Sequence, residues 1–242
     1  MKSNNSPEKT ISLEKREDDF QPSRRKFLGY AGATGLIAVG LASCSKILEQ
    51  FPESGNGKGN PQPVNLGSGD TGILNYAYAL EQLEAAFYTI VVASPYFGIN
   101  ALEFSRLKDI RDHEISHREF FKDALGTSAI PQLVLDFSAV NFTSRTSVLA
   151  TAKAFEDLGV SAYNGAGSLI VSADYLTLAG KIVSVEARHA AFIRDLISYG
   201  SFADSTVLDS NGLDTSRTPA QVLPLAGAFI KNTINASGLP TS

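Results

Sequence analysis

Cysteine and histidine are scarce in this chain, and their scarcity narrows the chemistry open to it. The 242 residues contain one cysteine, Cys44, which excludes an internal disulfide framework and any zinc or iron–sulfur site built from several thiolates. Only three histidines are present, at positions 113, 117 and 189. A metal site in this protein must therefore combine these few imidazoles with carboxylates.

Basic stretches are lacking as well. The formal net charge is −4, and no basic block occurs beyond the N-terminal region, which argues against nucleic acid as a partner. The length allows one sizeable domain with appendages. A hydrophobic content of 43% with few aromatic residues is typical of a helical globular domain.

The first 44 residues are similar to an export signal. Residues 23–28 (SRRKFL) precede a weakly apolar, glycine-interrupted run, and this order resembles a twin-arginine signal. The alternative, a permanent membrane anchor, is disfavoured because the run is short and contains four glycines. Residues 41–44 (LASC) resemble a lipobox. We therefore predict export by the twin-arginine route, a lipid on Cys44 that holds the protein at the membrane, and a periplasmic or cell-surface location.

The rest of the chain divides into a tether and a helical body. Residues 45–69 are rich in Gly, Pro, Asn and Ser, which predicts a flexible tether because such a segment buries too little apolar surface to fold. Asp70 and Thr71 are predicted to cap the first helix of the body. Apolar residues then recur at helical spacing, and they predict four helices at about 69–93, 100–125, 144–171 and 173–198.

The lengths of the connections predict how these helices are arranged. The links after the first and third helices are short, whereas about 18 residues separate the second helix from the third. The sequence therefore predicts an all-α bundle over residues 70–199, made of two helical hairpins joined by a crossover. Residues 200–242 are predicted to form an extension with one short helix that starts at Pro219 and contains Pro224.

Two Glu-x-x-His motifs lie on these helices, at residues 114–117 and 186–189. Residues i and i+3 share one face of a helix, so each motif directs a carboxylate and an imidazole to one point. The hairpins also match as an internal repeat, since Glu81 in the first helix aligns with Glu156 in the third. Seven residues after each of these glutamates stands a tyrosine, Tyr88 or Tyr163.

The repeat selects between two candidate ligands in the first helix. Glu84 aligns with Gly159, which has no side chain to bind a metal, so Glu81 is the preferred ligand and Glu84 the second choice. The preferred set comprises four glutamates and two histidines: Glu81, Glu114, His117, Glu156, Glu186 and His189. Two divalent cations would balance four buried carboxylates, which are otherwise costly to ionise. Oxygen-rich ligation with two imidazoles favours iron or manganese over a structural zinc ion.

The motif-bearing segments, residues 74–88, 109–121, 155–166 and 185–196, resemble the ferritin-like superfamily. Within it, the chain is most similar to exported ferritin-like domain proteins of the desiccation-related type. This resemblance implies a ferritin-like four-helix bundle in which Glu114 and Glu186 bridge two Fe or Mn ions and Glu81 and Glu156 are terminal ligands. It also implies hydrogen bonds from Tyr88 and Tyr163 to ligand glutamates. The alternative is that these tyrosines pack in the bundle core, with each hydroxyl reaching another polar partner.

The resemblance implies redox chemistry, with a small oxidant or a metal ion as substrate. Ferroxidase-like, peroxidase-like and catalase-like reactions all fit, and a non-enzymatic stress or desiccation protein is the alternative. The sequence leaves open whether the protein forms a homo-oligomer. Residues 113–117 also spell HExxH, the signature of zinc proteases. We disfavour that interpretation because it leaves the second motif and the repeat without a role, and we expect His113 to lie behind the ligands or at the surface.

Overall fold

Four long helices, arranged as two hairpins, make up most of the part of the chain that the structure describes. This structure is a computed structural model that describes residues 61–241, so the predicted signal and Cys44 lie outside the described residues. The helices are α1 (Gly69–Ala93), α2 (Ala101–Leu125), α3 (Arg145–Gly167) and α4 (Ala173–Ile197). α1 packs along α2, and α3 packs along α4, which confirms the predicted all-α bundle. Among residues 61–241, no helix is apolar over enough of its length to cross a membrane.

Side-chain caps fix where three of these helices begin. Asn100 accepts a hydrogen bond from the backbone N–H of Glu103 at 2.9 Å, and Ser144 and Ser172 cap α3 and α4 in the same way. α2 ends at Gly126, whose φ of 52° lies in the region that glycine adopts without steric cost. These caps satisfy backbone groups that the helix ends leave without partners.

The first helix begins differently from the prediction. Ser68 is its N-cap, and the Asp70 side chain instead accepts backbone hydrogen bonds from Val171 and Ser172, both at 2.8 Å. The same contact explains why α3 ends at Gly167 rather than near residue 171. Asp70 holds the backbone of the α3–α4 link in a non-helical course, although the apolar pattern continues through it. The carboxylate thereby joins the start of the first hairpin to the turn of the second.

The crossover between the hairpins lies against α1 and is held by two buried amides. Asn75 donates to the carbonyl of Ser128 and accepts from the N–H of Ile130, at 2.9 Å each. Gln82 accepts from the N–H of Leu133 at 2.8 Å. Because buried backbone groups require partners, these amides allow an irregular segment to pack on the bundle.

The C-terminal extension pairs with the segment that precedes α1. It contains α5 (Pro219–Ala226), a 3₁₀ turn (Gly227–Phe229) and the short strand β2 (Ile234–Asn235), which pairs in parallel with β1 (Val64–Asn65). The predicted helix at Pro219 is therefore present. The predicted tether, however, does not extend to residue 69, because Val64 and Leu66 are buried and their backbones are hydrogen-bonded to residues 233 and 235.

The extension is also fastened to the outer side of α3. The backbone N–H of Arg217 donates to the carbonyl of Ser161 at 2.9 Å, and its guanidinium donates to the Ser161 hydroxyl at 2.7 Å. Gly165 permits this approach, since a Cβ there would lie 1.8 Å from the Arg217 carbonyl oxygen. The extension therefore helps to hold α3, whose other side faces the centre of the bundle.

Candidate metal centre

The six predicted ligand side chains converge at the centre of the bundle. They form two groups of four, within each of which the ligand atoms lie within 4.8 Å of one another. One group is Glu81, Glu114, His117 and Glu186, and the other is Glu114, Glu156, Glu186 and His189. Glu114 and Glu186 belong to both groups. All four glutamates are 0% exposed, so the helices have placed four carboxylates in the core.

The two groups have the same geometry, because each histidine makes equivalent contacts with glutamates of the two hairpins. Nδ1 of His117 lies 2.8 Å from a Glu186 oxygen and 3.5 Å from a Glu81 oxygen. Nδ1 of His189 lies 2.8 Å from a Glu114 oxygen and 3.5 Å from a Glu156 oxygen. Each imidazole is also 3.8 Å from the glutamate of its own Glu-x-x-His motif. The sequence repeat is thus a repeat in space, with its two halves meeting at this point.

Hydrogen-bond donors are missing where the side chains converge. Nine buried side-chain N or O atoms in the described residues have no hydrogen-bond partner, and eight of them belong to the six converging side chains. Both oxygens of Glu114 and Glu186 are among them, with one oxygen each of Glu81 and Glu156 and Nδ1 of both histidines. Although some of these atoms are within 2.8 Å of each other, their geometry is not that of hydrogen bonds. Buried polar atoms normally have partners, so eight at one point indicate a cation-binding site.

Two tyrosines account for the remaining oxygens of the outer glutamates. The Tyr88 hydroxyl donates to Oε1 of Glu156 at 2.5 Å, and the Tyr163 hydroxyl donates to Oε1 of Glu81. Both bonds cross between α1 and α3, as the resemblance implied. Each outer glutamate therefore presents one oxygen to the centre, while Glu114 and Glu186 present two each. This difference fits terminal ligation by the first pair and bridging by the second.

The four glutamates bring excess negative charge into a part of the core that is shielded from water. Burial and the neighbouring Glu186 raise the pKa of Glu114 to about 8. Burial also raises the pKa values of Glu81 and Glu156. Burial alone would lower the pKa of the two imidazoles, but the surrounding carboxylates raise it strongly in both. Without a metal, protons must therefore supply the positive charge that the carboxylates require.

His113 lies behind a predicted ligand, one of the two places expected for it, and that ligand belongs to the other hairpin. Its Nδ1 lies 2.9 Å from Nε2 of His189, the ring nitrogen that points away from the centre. If Nδ1 of His189 binds a metal, its Nε2 carries the proton and donates it to His113. His113 itself belongs to neither group of ligand atoms. The zinc-protease interpretation of HExxH is therefore not supported, because it requires His113 and His117 to share one ion.

Glu84 lies beside the centre without joining it. It is 3% exposed, yet it belongs to neither group of ligand atoms, whereas Glu81 belongs to one of them. A Cβ on Gly159 would lie 3.1 Å from Oε1 of Glu84, which means that the missing side chain leaves room for this carboxyl. Burial and the ligand carboxylates raise the pKa of Glu84 well above its usual value. Glu84 and Gly159, which align in the repeat, thus lie opposite each other on α1 and α3.

The fold and the donor set identify the family. A family model described as a ferritin-like domain matches residues 69–199, which span all four helices of the bundle and all six converging side chains. The chain belongs to this family. No curated protein matches the chain. The donors of this ferritin-like protein fit divalent Fe or Mn, because four carboxylates supply hard oxygen ligands with a charge of −4 and two imidazoles add nitrogen ligands.

Proposed function

We propose that this ferritin-like protein holds two Fe or Mn ions and carries out redox chemistry on dioxygen or peroxide, or oxidises ferrous iron. The observation that supports this proposal is the set of eight unpartnered atoms on six side chains. Glu81, Glu156, His117 and His189 would hold one ion or the other, and Glu114 and Glu186 would bridge them. When bound, such a pair of ions supplies one-electron redox chemistry at each metal.

The chain's own residues orient the ligands and keep water out. Tyr88 and Tyr163 fix one oxygen of each outer glutamate, so these carboxylates are directed before a metal binds. His113 fixes the ring of His189 in the same way. The site lies nearest to solvent on the side of α2 and α4, where the His117 side chain is 13% exposed while the glutamates are fully buried. Polar reactants such as metal ions and hydrogen peroxide would enter here.

Metal analysis tests the proposal directly. The full-length protein, purified without chelator, is expected to contain about two Fe or Mn ions per chain. A variant with Glu114→Ala and Glu186→Ala should lose both ions, because these side chains belong to both groups. Glu119→Ala is the matched control, since its carboxylate lies on the surface of α2 in ion pairs with Arg118 and Lys122. Less than roughly half an equivalent in the reconstituted wild type would contradict the proposal.

A non-enzymatic stress or desiccation protein is the second candidate, because a complete ligand set does not require turnover. Peroxide-consumption and ferrous-oxidation assays on the same metal-loaded sample separate the two functions. Rates above those of the Glu114→Ala/Glu186→Ala variant support an enzyme. Equal rates with full metal content support a protein that keeps the centre without catalysis.

We further propose that the protein is exported in folded form and anchored by a lipid on Cys44. Twin-arginine export would allow metal loading in the cytoplasm, where Cu and Zn, which bind such sites more tightly, are less available. Mass spectrometry of the membrane-extracted protein tests this idea. A lipidated mature N-terminus at Cys44 is expected, and a Cys44→Ala variant should be released from the membrane.

A further inference from the structure

A second feature of the bundle lies on its axis, next to the six converging side chains. It is a small apolar chamber, open on one side, with about 30 Å³ of space for the centres of water-sized molecules, and no polar atom is exposed on its walls. All four helices line it, at the end of the bundle where α1 and α4 begin and α2 and α3 end. Tyr175 and Ala179 of α4 lie at its partly exposed rim.

The chamber and the candidate metal centre adjoin each other. Ala77, Phe121 and Ile182 line the chamber. Ala77 precedes Glu81 by one helical turn, Phe121 follows His117 by one turn, and Ile182 precedes Glu186 by one turn. Three helices thus place a chamber wall directly beside a converging side chain.

A tyrosine forms the direct connection between the two spaces. The ring of Tyr163 lines the chamber, while its hydroxyl donates to Glu81. Because that hydroxyl is already bonded, the chamber meets only the apolar part of the side chain. A molecule in the chamber would therefore be one side chain away from the centre, and would find no hydrogen-bond partner on the way.

We propose that this chamber binds dioxygen and is the path by which an apolar oxidant reaches the centre. A dry apolar space does not stabilise ions or hydrogen peroxide, which would lose their hydrogen bonds to water, but it does admit an apolar gas. The polar side of the centre, at His117, then serves polar reactants. This inference rests on the proposed function for the reaction, but the binding of a gas in the chamber does not depend on it.

Xenon is a probe for the chamber, because apolar cavities in proteins bind it without any chemistry. The metal-loaded full-length protein is expected to bind xenon, detected as a xenon-dependent NMR shift. Ala179→Phe at the rim and Ala166→Leu within the chamber should each remove that shift. Ala191→Phe is the matched control, since Ala191 lies on α4 outside the chamber and is partly exposed. Using two sites guards against a variant that does not fold.

The rates with two oxidants complete the test. Ala179→Phe should slow oxidation by dioxygen and leave the rate with hydrogen peroxide unchanged, while Ala191→Phe should change neither. Absence of xenon binding, or an equal loss of both rates in Ala179→Phe, would overturn the inference. If xenon binds but the protein holds no Fe or Mn, the proposed function fails while the chamber remains a gas site.

Discussion

The first hairpin, α1 and α2, and the second, α3 and α4, can be compared residue by residue around the centre. Each supplies one outer glutamate, one Glu-x-x-His motif and one tyrosine that bonds the other hairpin's glutamate. The histidine–carboxylate distances are the same in both halves, 2.8, 3.5 and 3.8 Å. Two of the differences lie beside the centre: Glu84 is matched by Gly159, and His113 is matched by Val185.

These differences show at which aligned positions both hairpins can carry the same residue and at which they cannot. The ligand positions can be duplicated, because all six side chains present donor atoms to one shared centre. Glu84 and Gly159 face each other, so the Glu84 carboxyl leaves no room for a large side chain at position 159. His113 supports only His189, and within the described residues no side chain supports Nε2 of His117. The two groups of ligand atoms are therefore chemically unequal, although their residues match.

Making the second hairpin match the first is expected to have the largest effect. Gly159→Glu would place a second buried carboxyl against Glu84, and should lower the free energy of unfolding by roughly 3 kcal/mol or more. Urea denaturation measures this. The exchange variant Glu84→Gly/Gly159→Glu should recover most of the loss. Gly159→Ala should change little, because improved helix propensity offsets its tight contact. If the exchange variant is as unstable as Gly159→Glu, the contact is not the cause.

The pH dependence of stability should distinguish the metal-free from the metal-loaded protein. The folded metal-free protein holds protons on Glu114 (pKa about 8), His117 and His189 that the unfolded chain releases at lower pH. Its free energy of unfolding should therefore fall as pH rises from 6.5 to 8. Metal replaces those protons and binds more tightly as they leave, so the loaded protein should show a flat or rising profile.

Denaturant titrations at several pH values, with and without Fe or Mn, test this prediction. Glu186 does not disturb the sign in this window, because His117 and His189 hold its pKa at about 2 despite its burial, so it is ionised in both states above pH 6. Glu114→Gln should reduce the slope of the metal-free protein. A metal-free profile that rises between pH 6.5 and 8 would contradict the prediction.

The unequal support of the two histidines predicts unequal metal binding. His113→Ala should weaken one of two binding steps by about 10–100-fold, the usual cost of removing a partner behind a metal ligand. Cobalt titration followed by absorption resolves the two steps. Val185→Ala occupies the matching position in the second hairpin and should affect neither step. His113→Asn, which keeps a hydrogen-bond acceptor, should restore part of the affinity, a result not expected if His113 acted only by packing.

Periodicity and the internal repeat predicted the bundle and all six converging side chains, because each ligand pattern is local to one or two helical turns. Glu81 was separated from Glu84 by alignment with a glycine, and the structure gives the physical reason, since Glu84 occupies the space that Gly159 leaves. Helix ends were predicted less well where a distant side chain decides them. α3 stops early because Asp70, about 100 residues away along the chain, holds the following backbone.

Local sequence patterns did not show the contacts that His113 and residues 64–66 make with distant parts of the chain. His113 is four residues from His117, a spacing that indicates a shared helix face but not that His113 bonds to the other hairpin. Val64 and Leu66 lie at the end of a Gly- and Pro-rich segment, and composition alone did not show that they are buried beside β2. Such contacts depend on how separate elements pack, which a local pattern does not contain.

The two tyrosines test the smallest expected difference between the hairpins, because their hydrogen bonds are equivalent. Tyr88→Phe and Tyr163→Phe each remove one hydroxyl that donates to a buried carboxylate, and each should lower the free energy of unfolding of the metal-loaded protein by about 1.5–3 kcal/mol. Because the bonds are equivalent, the two losses should agree to within about 0.5 kcal/mol. Thermal and urea unfolding provide the measurement, with Tyr175→Phe at the surface as control. A clearly larger loss for Tyr163→Phe would show that the apolar chamber beside it, rather than the hydrogen bond alone, sets the cost.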